Sequence, residues 1–325
     1  MRKKMMTKVD HREVLEGDNG IRFDRWFLRN YPDLSHGKLQ KLLRTGQVRL
    51  DGKRAKGGQR LKTGQIIRVP PINESAVIDS KIGNSISTYD QEFIRALVLA
   101  EDPLFFALNK PAGIAVQGGK GNSRNLDLLL PGLVGSNEER PRLVHRLDKD
   151  TSGVLLVARS AMAAEIISKC FRNREAKKQY WALVAGVPNP LKGEINFSLS
   201  KVSNGKTQRV QPVKKSGQMA LTHYQTVATL GRLASWVILY PITGRTHQLR
   251  VHMAEIGNPI LGDGKYGGKK AFLDTITPQL NLHAKEITIP HPGGGGIIKI
   301  EAPLPPHMIK CWKFFGLDPD IMPGA

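Results

Sequence analysis

The apolar positions of the chain follow two rhythms. Near the amino terminus, "FDRWFLRNY" sets Phe23, Trp26, Phe27 and Tyr31 at helical spacing. "SHGKLQKLLRTG" then offers Ser35 as an N-cap, Leu39, Leu42 and Leu43 as an inner face, and Gly46 as a stop. "QVRLDGKRAKGGQRLKTGQIIRVP" follows as short strands about the turn pair Asp51-Gly52. A helix pair and a small hairpin make a compact module, placed here at residues 17–71. Residues 72–90, "INESAVIDSKIGNSISTYD", are polar and Ser-rich with little periodicity, and read as a linker.

Beyond residue 91 the rhythm changes. "LFFALNKPAGIAVQGG", "GVLLVARS", "QYWALVAGV", "LTHYQTVATL", "RLASWVILY" and "EITI" are β-type runs separated by Gly and Pro. One clear helix is expected among them, from Ser160 to near Arg174, capped by Ser160 and basic at its end. The pattern predicts an α+β domain over 91–325 with a large mixed sheet. A length of 325 residues agrees with two domains.

Charge narrows the function. Lys and Arg number 49 against 28 Asp and Glu, a net +21, which implies a polyanionic partner. An anionic membrane is excluded as the main partner because the longest apolar runs are far too short to span one, leaving nucleic acid. Residues 21–70 hold thirteen basic residues and three acidic ones, a local +10. Within them Lys38, Lys41 and Arg44 recur along one outer helix face, and Arg49, Lys53, Arg54, Lys56 and Arg60 lie on the hairpin and its loops. A solvated surface normally mixes both signs, so this segment reads as an RNA-contacting face. It resembles the small α+β RNA-binding domain of the ribosomal-protein S-four type.

Cys170 and Cys311 match no paired metal-ligand spacing, so neither a zinc site nor a disulfide framework is expected. The first eighteen residues lack an apolar core and carry four acids, which argues against a targeting segment and for a cytoplasmic protein.

The stretch with the densest chemistry is "RLVHRLDKDTSGVLLVARS", Arg142 to Ser160, a charge cluster set against an apolar strand. A calcium loop is excluded because its twelfth position falls on Arg159, where a carboxylate is required. An aspartyl-phosphate motif has a different residue order. The remaining readings are a salt-bridged surface turn and a reactive carboxylate, Asp148, which the flanking Arg146 and Lys149 would keep ionised.

"HRLDKDTSG", then "KKQYWALVAG", then "PITGRTHQLRVHMAEIGNPILGDGKYG" together resemble the RluA family of RNA pseudouridine synthases, from about Leu104 to Pro305. With the basic module in front, the arrangement is most similar to the branch acting on the large ribosomal subunit. The resemblance implies a mainly antiparallel sheet and isomerisation of uridine in RNA, in which N1–C1′ breaks and a C5–C1′ bond forms. It implies no cofactor and no metal. By the same resemblance Asp148 is the catalytic carboxylate, and Tyr180 stacks on the target base and is a candidate for C5 proton removal. Arg245 pairs with Asp148, and Arg146 enters the RNA stack as the base leaves. Whether Asp148 meets C1′, C6 or the 2′-proton stays open. His247 and His252, five apart with no third ligand, make a poor zinc site.

The partner expected is RNA, most simply large-subunit rRNA, met by a monomer. The alternatives are tRNA or mitochondrial RNA as substrate, a non-catalytic ribosome-assembly factor, or a glycosidic hydrolase using Asp150 as a second acid. Against the hydrolase, Asp148 and Asp150 would face opposite ways in an extended chain.

Overall fold

A computed structural model describes residues 9–31, 34, 36–71, 86–118, 124–135, 138–204, 207–213, 217–274, 276 and 278–318. The expected cap Ser35 and residues 72–85 of the expected linker lie outside them. Backbone contacts divide the chain into two units, 1–85 and 86–325. Residues 86–90 therefore belong to the second unit: Ser87 caps a helix there, its Oγ accepting from the Asp90 amide at 3.1 Å.

In the first unit, strand β1 (Asp10–Glu13) precedes helices α1 (Phe23–Asn30) and α2 (His36–Arg44) and strands β2 (Arg49–Leu50), β3 (Lys53–Arg54) and β4 (Ile66–Val69). The strands form an antiparallel sheet in the order β1-β4-β2-β3. Phe23, Trp26 and Phe27 of α1 and Leu39 and Leu43 of α2 are buried with Val48, Leu50 and Ile67, as their spacing requires. The β2–β3 turn has Asp51 at φ 49° and Gly52 at φ 74°. Positive φ at both central positions gives the primed turn whose twist matches the flanking strands.

Asp18, Asp24 and Asp51 of this unit are engaged internally, Asp18 by Trp26 Nε1 at 2.8 Å. Asp24 takes two hydrogen bonds from Arg22, at 2.6 and 3.1 Å, and Asp51 accepts from the Ile66 amide and Gln65 Nε2, both at 2.8 Å. The basic residues are less engaged. Lys41, Arg44, Lys53, Arg54 and Lys56 are exposed, and Lys38 is half-buried. Arg49 donates to the carbonyls of Gly46 and Gly52, and Arg60 to that of Gly20.

The second unit holds helices α3 (Thr88–Ala96), α4 (Leu126–Leu129), α5 (Ala161–Arg172), α6 (Gln248–Glu255) and α7 (Pro306–Phe314). Its strands are β5 (Val98–Glu101), β6 (Phe105–Lys110), β7 (Arg142–Leu143), β8 (Ser152–Ala158), β9 (Lys177–Ala185), β10 (Lys192–Asn204), β11 (Thr207–Pro212), β12 (Gln218–Leu230), β13 (Ala234–Pro241), β14 (Leu282–Pro290) and β15 (Ile297–Glu301). They form one sheet in the order β11-β10-β12-β13-β9-β14-β8-β6-β5, with β15 beside β14 and β7 beside β8. Every pairing is antiparallel except β8 with β14.

The apolar run "GVLLVA" is continuous because β8 is covered on both faces. Val154 and Leu156 pack with Ala163 and Ile167 of α5, while Leu155 and Val157 pack with Ile94 of α3 and Leu126 of α4. Fully burying one such side chain contributes about 1.5–3 kcal/mol. β9 alternates likewise: Ala182 and Val184 meet Leu249 and Met253 of α6, and Trp181 and Leu183 meet Met308 and Trp312 of α7. Gly153, at φ 112°, opens β8 where it pairs with β14. A Cβ there would lie 2.2 Å from the Ala284 carbonyl oxygen, so only glycine lets the two strands meet.

Candidate active site

The charge cluster becomes a loop between β7 and β8. It turns tightly at its end, where the Thr151 amide donates to the Asp148 carbonyl at 3.2 Å. The extended course expected through 148–150 is thus a turn, because Lys110 pulls its backbone inward. Lys110 is fully buried at the end of β6. Its ammonium donates to the carbonyls of Pro111 (2.9 Å), Lys149 (2.9 Å) and Thr151 (2.8 Å). The Gly113 amide adds a fourth bond, to Lys149 O at 2.9 Å. Burial lowers the Lys110 pKa to about 7, with the charges of Asp150 and Asp148 opposing the shift.

Held this way, Asp148 lies in a cavity of about 700 Å³ with Arg146, Tyr180, Arg245 and Arg250. Asp150 lines a separate cleft of about 450 Å³. The two carboxylates serve different surfaces even though the chain between them is not extended. Arg146 is exposed and makes no hydrogen bond or ion pair among the described residues.

His145, two residues before Leu147, is not part of the charge. Its Nε2 accepts from the Leu156 amide at 2.8 Å, and its ring stacks on Phe171 at 4.5 Å. Burial, with help from Lys178, lowers its pKa to about 3, so the ring is neutral at physiological pH.

Tyr180 projects from β9, opposite Leu239 of β13 and Ala284 of β14. Burial first and the Asp148 charge second push its hydroxyl well above the usual tyrosine range. The phenol is therefore protonated in the resting site.

The segment "TGRTHQLR" enters from the far side and is latched by Gln248. Its Oε1 accepts from Thr243 Oγ1 (2.7 Å) and the Arg245 amide (3.0 Å), and its Nε2 donates to Leu221 O (2.9 Å) and Thr222 Oγ1 (3.0 Å). The expected pairing of Arg245 with Asp148 is not formed. Arg245 stands ahead of α6 on an exposed stretch, and its Nε donates to Met219 O at 3.3 Å. It lines the cavity without reaching the carboxylate.

Arg250, in the first turn of α6, faces Asp148 electrostatically instead. It is buried in a bidentate pair with Asp263, at 2.7 and 2.8 Å, and Asp263 also accepts from the amides of Lys265 and Tyr266. A guanidinium fixed in this way presents its charge with little freedom to move. His247 Nε2 lies 4.0 Å from Asp148 Oδ1. Its Nδ1 lies 2.6 Å from the Tyr266 hydroxyl, which itself accepts from the Val210 amide at 3.2 Å. The pattern assigns Tyr266 O–H as donor to Nδ1 and leaves Nε2–H toward the carboxylate. Burial lowers the His247 pKa; Asp148 opposes that shift, and Arg250 and Lys265 add to it. His247 has φ 53°, a left-handed setting for a non-glycine residue next to the site.

Reading the sequence singled out Asp148, Tyr180, Arg146 and Arg245, and the fold brings all four to one cavity. It missed Lys110, Arg250 and Tyr266. "NKPAG" gave the signal for Lys110, a lone cation ending an apolar strand, and the i, i+5 placement of Arg245 and Arg250 left two arginines to choose between. His252, the other half of the rejected zinc pair, points away into the core against Phe197. Among the described residues no group of three or more His, Cys, Asp or Glu side chains converges as a metal site, and no helix is long and apolar enough to cross a membrane.

A mixed, mainly antiparallel sheet presents a carboxylate and a tyrosine in a cation-lined cavity, a site suited to an anionic substrate. Residues 105–255 match the RNA pseudouridylate synthase family model. The chain is 35% identical to the ribosomal large subunit pseudouridine synthase C of Pasteurella multocida, over 91% of each chain. It is 32% identical to the mitochondrial RNA pseudouridine synthase 4 of Arabidopsis thaliana, over 87% of this chain and 77% of that one. Among solved structures, human RNA pseudouridylate synthase domain containing 4 superimposes with a TM-score of 0.59 at 27% identity, covering 73% of this chain and 99% of that one. The chain belongs to the RNA pseudouridine synthase family and is an isomerase that converts uridine in RNA to pseudouridine.

Proposed function

We propose that this enzyme isomerises specific uridines of large-subunit ribosomal RNA, acting as a cytoplasmic monomer with Asp148 as the catalytic carboxylate. The observation that carries the site assignment is the shared cavity, in which Asp148 is the sole carboxylate among the described residues, beside Tyr180 and facing Arg250. The kinship with large-subunit synthases supports the choice of RNA.

A stacked uridine has to turn out of the RNA to reach such a cavity, at a cost of a few kcal/mol that is smaller in loops. Arg146, exposed at the rim and unpaired among the described residues, fills the gap that the base leaves. Tyr180 stacks on the turned-out ring. The ionised Asp148 then acts on the nucleotide, either on carbon or at the 2′-proton, N1–C1′ breaks, and the freed uracil rotates to bond C1′ through C5. The proton leaving C5 needs an acceptor. Tyr180 can serve only after its own phenol proton has left to water, a loss eased once the Asp148 charge, which raises its pKa, is consumed in an adduct or by protonation. The first unit, whose sheet begins at β1 (Asp10–Glu13) and so reaches ahead of the expected start at residue 17, acts as an RNA-binding module whose phosphate contacts position the substrate.

The test is pseudouridine mapping of rRNA, tRNA and organellar RNA from cells lacking the protein and from cells carrying Asp148→Asn. The expected result is loss of the same large-subunit rRNA sites in both. Loss confined to tRNA or mitochondrial RNA would move the substrate, in line with the Arabidopsis relative. Sites retained with Asp148→Asn would overturn the catalytic assignment.

A further inference from the structure

The catalytic cavity extends farther than Asp148 and Tyr180 require. Past Tyr180 it runs to the carboxyl end of α5, where Phe171, Arg172 and Arg174 meet Lys178 of β9. Lys178 precedes Tyr180 by two residues, so both side chains leave the same face of the strand, roughly 6.6 Å apart along it.

Lys178 is part-buried and makes no hydrogen bond or ion pair among the described residues. No acid pairs with it among the described residues: His145 is neutral with its Nε2 occupied, and Asp148, the single acid among the described residues lining the cavity, shares it with Arg146, Arg172, Arg245 and Arg250. Loss of water alone lowers the Lys178 pKa to about 8. A cation held out of water without a partner favours an incoming anion.

The end of α5 adds a second observation. The Arg174 amide donates to Phe171 O at 3.3 Å and the Glu175 amide to Cys170 O at 3.0 Å, which closes the helix with residue 174 in the left-handed position. Glycine is the usual occupant of that position, yet here Arg174 takes it at φ 62°. A strained setting is thus kept for a guanidinium that lines the cavity. Arg172 and Arg174 are exposed, and neither has a partner among the described residues.

We propose that Lys178, backed by Arg172 and Arg174, forms a phosphate subsite that holds the RNA backbone phosphate flanking the target uridine. Lys178 is then a positioning residue: it fixes the sugar of the turned-out nucleotide over Asp148 by gripping the adjoining phosphate. The subsite rests on the reading that this uridine occupies the cavity beside Asp148 and Tyr180.

The experiment uses the full-length enzyme and a substrate RNA in which the linkage on the 5′ or the 3′ side of the target uridine is a neutral methylphosphonate. Wild type should lose about tenfold in kcat/KM on one of the two, the weight of one charge-assisted hydrogen bond. Lys178→Met should show that loss on unmodified RNA and no further loss on the neutral linkage, with Lys178→Arg restoring the sensitivity. Arg172→Ala/Arg174→Ala, at exposed positions, should weaken the same linkage dependence without touching the sheet. Independent, additive losses at Lys178 and at both linkages would overturn the subsite, as would unchanged kinetics in Lys178→Met. Binding constants measured with Asp148→Asn enzyme give the same coupling without turnover. If that variant stays active, the catalytic assignment fails while the binding data still decide the subsite.

Discussion

The ammonium of Lys110 lies 2.9 Å from the carbonyl oxygen of Lys149, the residue after Asp148, and ties the end of β6 to the turn that carries the carboxylate. Two more carbonyls share the same ammonium. Lys110→Met should leave these buried acceptors short of donors, destabilising the protein by about 1–3 kcal/mol, and should lower kcat more than it raises KM. Denaturant unfolding and steady-state kinetics check the two parts.

The same lysine predicts a pH dependence. Its folded-state pKa is lowered to about 7 from 10.5, so between those values the unfolded chain binds more protons than the folded one. This group's contribution to stability therefore rises with pH across that window and is lost as pH falls through 7. Wild type should gain stability relative to Lys110→Met between pH 7 and 10. A constant difference across that range would show that Lys110 does not carry the shift.

Asp148→Asn keeps the shape of the side chain and removes its charge. Pseudouridine formation should fall below detection, while RNA affinity, set by the cations around it, should change less than threefold, roughly 0.6 kcal/mol. Single-turnover assays and filter binding with the purified variant decide it.

Arg245 and Arg250 should separate cleanly. Arg250→Ala leaves Asp263 buried without its partner and removes the charge that faces Asp148, so a loss of about 3–5 kcal/mol in stability, the cost of breaking a buried pair, should accompany loss of activity. Arg245→Ala, at an exposed position, should leave the melting temperature unchanged and alter only RNA binding. Thermal unfolding of the two variants side by side is the measurement.

Lys41, Arg44, Lys53 and Arg54 are exposed and stand in a unit whose acids Asp18, Asp24 and Asp51 are held by internal partners. Charge reversal at Lys53 and Arg54 should leave the fold intact and lower the slope of log affinity against log salt by about 0.7–0.9 for each phosphate no longer neutralised. An unchanged slope would remove these residues from the RNA interface.

Local pattern was enough wherever a residue's role depended on its immediate neighbours. The spacing of Phe23, Trp26 and Phe27, the turn pair Asp51-Gly52 and the Ser160 cap each read directly, since spacing, positive φ and an amide acceptor are local properties. The motifs that contain Asp148 and Tyr180 were legible, and the fold brings the two residues to one cavity. Arg250 was not, because an arginine's partner is fixed by where a helix docks; α6 turns Arg250 inward to Asp263 and leaves Arg245 outside on the loop.

By itself, then, the sequence determined the alternation of buried strands, the basic amino-terminal module and the identity of the chemistry-bearing segments, all properties of short-range pattern and charge. Only the tertiary structure decided which cations surround Asp148, since Lys110 and Arg250 come from β6 and α6, elements far apart in the chain. It also decided that Gly153 must be glycine, because the atom that forbids a side chain there belongs to Ala284, 131 residues away along the sequence. Long-range packing, which no local pattern encodes, sets both.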